Sequence, residues 1–225
     1  MSIILSGVEY TYDSHGTMSN LALYDINMNV EKGEKFVILG GNGSGKTTLL
    51  NIISGLILPT DGKVYWRGKD ISEKDFSMRE YRMCAGIITQ DFESQFTGRT
   101  VEEDVRNGMG SLDRKLECDL RVFKALEKMG IGEDLLDISP GVLSYSQKKR
   151  VLLAGVLAKR PELLIIDDFS LGLDEESRSE IWGIIEEMVA ENNSTVILAT
   201  TSKEDAEKMG GHGIVLESGR IKEFF

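Results

Sequence analysis

The octapeptide GGNGSGKT at residues 40–47 sits between an apolar, strand-like segment, KFVILG, and a helix-compatible run, KTTLLNIISGL. Few architectures accept that order. Gly40, Gly41, Asn42, Gly43, Ser44, Gly45, Lys46 and Thr47 satisfy the pattern G-x-x-x-x-G-K-[ST] in its expected strand–loop–helix setting. The glycines let backbone N–H groups turn inward around phosphate oxygens, and the start of the following helix adds a favourable field. Lys46 is placed to reach the β- and γ-phosphates and the Thr47 hydroxyl to bind Mg²⁺, with Thr48 completing the cradle. The pattern predicts a bound nucleoside triphosphate.

Around this loop the chain reads as one layered α/β domain over 1–225. Strand-like segments crowd the first third: IILSGVEY, LALYDINMNV, KFVILG, and KVYWRG after the turn PTDG. CAGIIT is a further strand. The texture then turns helical through TVEEDVRNGM and RKLECDLRVFKALEKMG, and SYSQKKRVLLAGVLAKR continues it. After that, strands and helices alternate: ELLIIDD, EESRSEIWGIIEEMVAE, STVILAT, SKEDAEKMG and a last strand near GIVLESGRI. Buried strands alternating with helices predict a parallel sheet with helices on it. The helical block, 91–145, is expected to be an insert in that domain.

Composition removes several functions. The net charge is −11, from 37 acidic against 26 basic residues, which argues against a nucleic-acid surface and against direct docking on anionic lipid. A small anion needs only a local site, so the charge does not oppose the cradle. No apolar run approaches the roughly 20 residues that span a bilayer, and MSIILSGVEYTYD lacks the basic flank and long apolar stretch of a signal peptide. Cys84 and Cys118 have no metal-ligand spacing and are expected to be reduced and inert. The chain reads as cytoplasmic, and a membrane role would need a separate partner chain.

The segment LSYSQKKRV at 143–151 resembles the LSGGQ signature of ATP-binding-cassette (ABC) ATPases, and LAGVLAKRPELLIIDD and SLGLD fit the same family. The resemblance covers nearly the whole chain. It implies a P-loop NTPase fold: a RecA-like core, an antiparallel β-subdomain from the first third and an α-helical subdomain from the insert. It also implies head-to-tail pairs, each ATP lying between one protomer's phosphate loop and the other's signature. By position, Asp167 is then the Mg²⁺ ligand, with Thr47 and Gln90 near the same ion. Gln90 resembles the glutamine that also senses a transmembrane partner. Asp174 resembles the aspartate facing the other protomer, while Ser144, Ser146 and Gln147 face that protomer's ATP. Tyr12 resembles the aromatic that stacks on adenine, although from sequence alone a buried strand aromatic is nearly as good a reading. TQDFESQFTGRTVEEDV at 89–105, supported by AGVLAKRP, is similar to ATPases of energy-coupling-factor vitamin and metal-ion importers; a generic import ATPase is the alternative. With the chain ending at SGRIKEFF, no regulatory C-terminal domain is expected.

Four positions depart from the family pattern. The catalytic base, usually Glu, is Asp168; one methylene fewer draws the carboxylate back by about 1 Å or more, whereas general-base contacts need roughly 2.6–3.2 Å. A displacement of that size costs on the order of 10²-fold in rate. The usual histidine at the end of VILAT corresponds to Thr201, which has neither imidazole's reach nor its charge. Neither His15 nor His212 stands at that position. Tyr145 and Ser146 replace the signature's two glycines, and Phe169 replaces the usual proline. These departures resemble the weak site of heterodimeric ABC proteins. The expectation is an ATP-binding importer subunit on the inner face of the cell membrane, paired with a second ABC ATPase chain and a transmembrane subunit. Its own site would hydrolyse slowly, with Asp168, Gln90 and Thr201 as the catalytic set. The alternative is a soluble ABC ATPase acting as a nucleotide-dependent switch or assembly factor. Work on nucleic acid is disfavoured by the charge.

Overall fold

A computed structural model describes residues 3–12, 20–109 and 115–225. In chain order, strands β1 (Ile3–Tyr12), β2 (Asn20–Val30) and β3 (Lys35–Leu39) lead into helix α1 (Lys46–Ile53). Strands β4 (Asp61–Trp66) and β5 (Lys69–Asp70), helix α2 (Met78–Cys84) and strand β6 (Ala85–Ile88) follow. Helices α3 (Val101–Met109), α4 (Lys115–Lys128) and α5 (Tyr145–Lys159) come next. The last third alternates β7 (Leu163–Asp167), α6 (Glu175–Asn192), β8 (Thr195–Thr200), α7 (Lys203–Met209), β9 (His212–Glu217) and β10 (Arg220–Phe224).

The strands form two sheets. A four-stranded antiparallel sheet has the order β2-β1-β4-β5; a six-stranded sheet has the order β10-β9-β3-β8-β7-β6. In the second sheet β3 pairs in parallel with β8 and β9, β7 in parallel with β6 and β8, and β10 closes the edge antiparallel to β9. Successive side chains of a strand point to opposite faces, and here that alternation divides the core in two. Phe36 and Ile38 of β3, Ile165 of β7 and Ile197 of β8 face the antiparallel sheet and α1. Val37, Ile166 and Leu198 face the helical side, where they meet Val105, Leu153, Ile185 and Met209.

Helix α5 packs along α3, α4 and β6, so the helical block and the parallel sheet are joined through it. The α3–α5 crossing is close at Gly108, where a Cβ would meet the Gly155 carbonyl oxygen at 3.3 Å. Two local features were not expected. Helix α2 forms because buried Tyr81 donates its hydroxyl proton to the Ile53 carbonyl, with Ser77 capping the first turn. The expected last strand is instead a hairpin, β9 turning into β10 through Ser218 and Gly219, both at positive φ. Cys84 and Cys118 are unpaired, and none of the described helices is long and apolar enough to cross a membrane.

Candidate functional site

The loop after β3 is held from three sides. The Gly40 N–H donates to the Thr200 carbonyl (3.2 Å), and the Gly219 N–H donates to the Ser44 carbonyl (2.9 Å). Gly45 has φ +105°, and a Cβ there would come within 2.9 Å of the Ala22 carbonyl oxygen, so a side chain is excluded both by torsion and by space. Helices α2, α5, α6 and α7 each begin on a side-chain cap, from Ser77, Ser144, Asp174 and Ser202. Helix α1 begins on Gly45 with no side-chain cap and no acidic residue in its first turn. Its orphan N–H groups and the positive end of its dipole are left for an anion. They open into a cavity of about 600 Å³ whose walls include Tyr12, Asn42, Gly43, Thr48, Gln90 and Asp168.

Within the cavity Lys46 is buried, its ammonium donating to the carbonyls of Gly40 (2.8 Å) and Gly41 (3.1 Å) and lying 3.8 Å from Asp168 Oδ2. Thr47 Oγ1 donates to Asp167 Oδ2 at 2.7 Å. The other oxygen, Asp167 Oδ1, is buried with no hydrogen-bond partner, as is Ser44 Oγ. Burial pushes the Asp167 carboxyl above the usual range and the charge of Asp168 pushes the same way, with Thr47 and Lys46 opposing. A buried carboxylate oxygen without a donor, beside a hydroxyl and with Gln90 on the wall of the adjoining cavity, is a hard-oxygen set that fits Mg²⁺.

Asp168 is 7% exposed and sits at φ +42°, in the left-handed region that aspartate tolerates better than most side chains. Its carboxylate is engaged: Oδ1 accepts from the Thr201 N–H (2.8 Å) and from Thr201 Oγ1 (3.4 Å), while Oδ2 faces Lys46. Asp168 and Thr201, distant in sequence, therefore form one unit at the ends of β7 and β8.

Tyr12 is 44% exposed at the cavity mouth, its hydroxyl 3.0 Å from Thr48 Oγ1 and its ring edge-on to Tyr10. It is not a buried strand aromatic. Gln90 is exposed between cradle and β6, and Gln95 ties that segment back by donating to the Ile87 carbonyl (3.1 Å) and accepting from Thr89 N–H (3.2 Å). The remaining expected residues lie away from the cradle. Ser144 and Gln147 close a reciprocal capping box at the start of α5, and Ser146 lies beside them in the first turn. Asp174 caps α6 by accepting from the Ser177 N–H at 2.8 Å. Within this chain they do not meet the phosphate loop. His212 lies on β9 beside Glu34 and edge-on to Phe36; His15 lies outside the described residues. The Ser218–Gly219 turn on the cavity rim was missed by sequence reasoning, although the SG pair between two β-rich runs is a turn signal.

The chain matches the family described as "ABC transporter" over residues 23–170. It is 36% identical over 223 residues to the energy-coupling factor transporter ATP-binding protein EcfA2 of Caldanaerobacter subterraneus subsp. tengcongensis, covering 99% of this chain and 78% of that protein. It is 37% identical to the EcfA2 protein of Acetivibrio thermocellus, again over 99% of this chain and 79% of that one. Among solved structures, cbiO1 from Clostridium perfringens, described as part of the ABC transporter complex cbiONQ, superposes with a TM-score of 0.85 at 35% identity, covering 99% of this chain and 87% of that one. The ATP-binding cassette MJ0796, in a dimeric post-hydrolysis state bound to ADP and Pi, gives 0.89 at 28% identity, covering 99% and 97%. The RecA-like core, antiparallel sheet and helical block are thus those of an ABC ATPase, and the chain is a member of the ABC transporter family, in its branch of energy-coupling-factor ATP-binding proteins.

Proposed function

We propose that this chain is the ATP-binding subunit of an energy-coupling-factor type importer. It pairs head-to-tail with a second ABC ATPase chain on the inner face of a membrane, and its own cradle binds ATP tightly but hydrolyses it slowly. The uncapped α1 N-terminus and Lys46 hold the phosphates. Thr47, Asp167 and Gln90 would hold Mg²⁺, which when bound would supply positive charge against the phosphates. Tyr12 offers an exposed ring to the base. The observation that carries the slow site is the Asp168 carboxylate, committed to the Thr201 N–H and to Lys46 rather than free to orient water. Ser144, Ser146 and Gln147, turned away from this cradle, serve the ATP of the second chain, and Asp174 faces that chain.

A groove of about 340 Å³ between β6, α3 and α5, with Arg82, Gln95, Asn107 and Lys159 on its walls, supports docking of a transmembrane subunit beside the Gln90 segment. Motion of that segment would carry the state of the nucleotide to the membrane partner.

ATP hydrolysis by the isolated chain, beside the double variant Asp168→Glu with Thr201→His, tests the slow site. The expected result is tight ATP binding in both and a rise of about 10²-fold in turnover for the double variant. Rapid turnover by the unmodified chain alone would remove the reading. Purification of the complex from membranes with a multi-span subunit tests the importer assignment.

A further inference from the structure

Three rings from three separate segments close on one lysine. Lys149, in the second turn of α5, is 2% exposed. Its ammonium donates to the Phe169 carbonyl and to the Leu171 carbonyl (2.5 Å), and lies 4.8, 4.9 and 5.5 Å from the ring centroids of Tyr145, Phe169 and Phe92. Tyr145 adds a second tie: its hydroxyl donates to the Leu171 carbonyl at 3.2 Å, and its ring lies edge-on to Phe92. The same ring rests on Gly172, where a Cβ would come within 2.9 Å of it.

Each ring belongs to a segment already placed in the chemistry. Phe92 is two residues past Gln90, Phe169 follows Asp168, and Tyr145 follows Ser144. Two of the four departures from the family pattern, Tyr145 and Phe169, therefore meet around one cation. Burying an ammonium with carbonyls and ring faces, but with no carboxylate partner among the described residues, carries a desolvation cost that cation–π contacts and charge-assisted hydrogen bonds offset only in part. A methionine would fill the same space without the ammonium's desolvation, but would lose the donor to the Phe169 carbonyl. What the cation adds is geometry: its ammonium ties α5 to two carbonyls of the loop after Asp168.

We propose that Lys149 is a positioning residue that keeps the Ser144 end of α5 in register with the loop carrying Asp168 and with the segment following Gln90. The inference rests on the head-to-tail pairing proposed above. In that pairing Ser144 serves the second chain's ATP while Asp168 and Gln90 serve this chain's own, so Lys149 joins the two sites inside one chain.

The test uses the assembled transporter with wild-type, Lys149→Met and Lys149→Arg forms of this chain. Steady-state ATP hydrolysis is measured on the complex, and fluorescent-ATP binding and thermal unfolding on the isolated chain. Lys149→Met is expected to lower kcat of the complex about tenfold or more with KM nearly unchanged. The isolated variant should bind ATP like wild type and unfold at the same or a higher temperature. Lys149→Arg, which keeps charge and donors on a longer, planar head, should retain more of the wild-type kcat than Lys149→Met. Wild-type turnover by Lys149→Met overturns the inference alone. So does a fall in turnover matched by lost ATP binding and a lower unfolding temperature, since that describes a structural prop. Failure of the two ATPase chains to pair removes the reading beneath the inference, and the inference with it.

Discussion

Asp168 combines a left-handed backbone, a hydrogen bond to the Thr201 N–H and a 3.8 Å approach to Lys46. Replacing it by Asn keeps an acceptor for Thr201 and removes the charge beside Lys46 and beside the incoming phosphates. Asp168→Asn should therefore fold normally and bind ATP roughly 3- to 10-fold more tightly, read by fluorescent-nucleotide titration, with no gain in hydrolysis. Lys149 makes a prediction in pH. Burial pulls its ammonium from an ordinary 10.5 to about 8. Between those values the unfolded chain holds a proton that the folded chain lacks, so this group's contribution to stability rises with pH across that window; below it the burial cost is present in full. In urea denaturation, the stability of Lys149→Met relative to wild type should be greatest near neutral pH and decline by about 2 kcal/mol between pH 8 and pH 10.5. Lys149 itself was not legible as a functional residue. Phe92, Tyr145 and Phe169 come together only in the fold, and no local spacing records that they share a neighbour.

At the level of elements, nearly everything with a clear period was readable. The strands β3, β7 and β8 are apolar runs of five or six residues, and each lies in the centre of the parallel sheet. Helix α2 was missed because seven residues with one buried side chain, Tyr81, carry no amphipathic pattern of their own; a tertiary hydrogen bond to Ile53 fixes it. The hairpin β9–β10 was read as one strand because its turn occupies only Ser218 and Gly219. The start of α5 shows what sequence could give only in part. The SYSQ run marks a capping box, yet nothing in it says that the Tyr145 ring folds toward Leu171 and Gly172. Ser144→Ala should cost about 1 kcal/mol of stability in chemical denaturation through loss of that cap. In the paired complex it should also slow the second chain's hydrolysis without changing ATP binding by this chain.

Over the whole molecule, one sheet serves two cores, and the two tryptophans fall one in each: Trp66 on the side of the antiparallel sheet, Trp182 on the helical side. Neighbours on β3 point into different cores, Phe36 into the first and Val37 into the second. Truncating Phe36 to Ala should remove about 3–5 kcal/mol, and truncating Val37, which gives up only two methyl groups, less. In single-tryptophan variants, Trp66 and Trp182 should still report one shared denaturation midpoint, because the sheet between them cannot lose one face alone. Displaced, separate midpoints would show that the helical block unfolds independently. The bare start of α1 has a consequence for the intact protein as well. Where α2, α5, α6 and α7 carry their terminating group in the chain, α1 leaves that place to a bound anion. A nucleotide bound there would complete the helix end, and by mass action the fold's stability should then rise with the logarithm of ATP concentration above the dissociation constant. A subunit built this way should unfold at a temperature that climbs with ATP concentration, before any bond is broken.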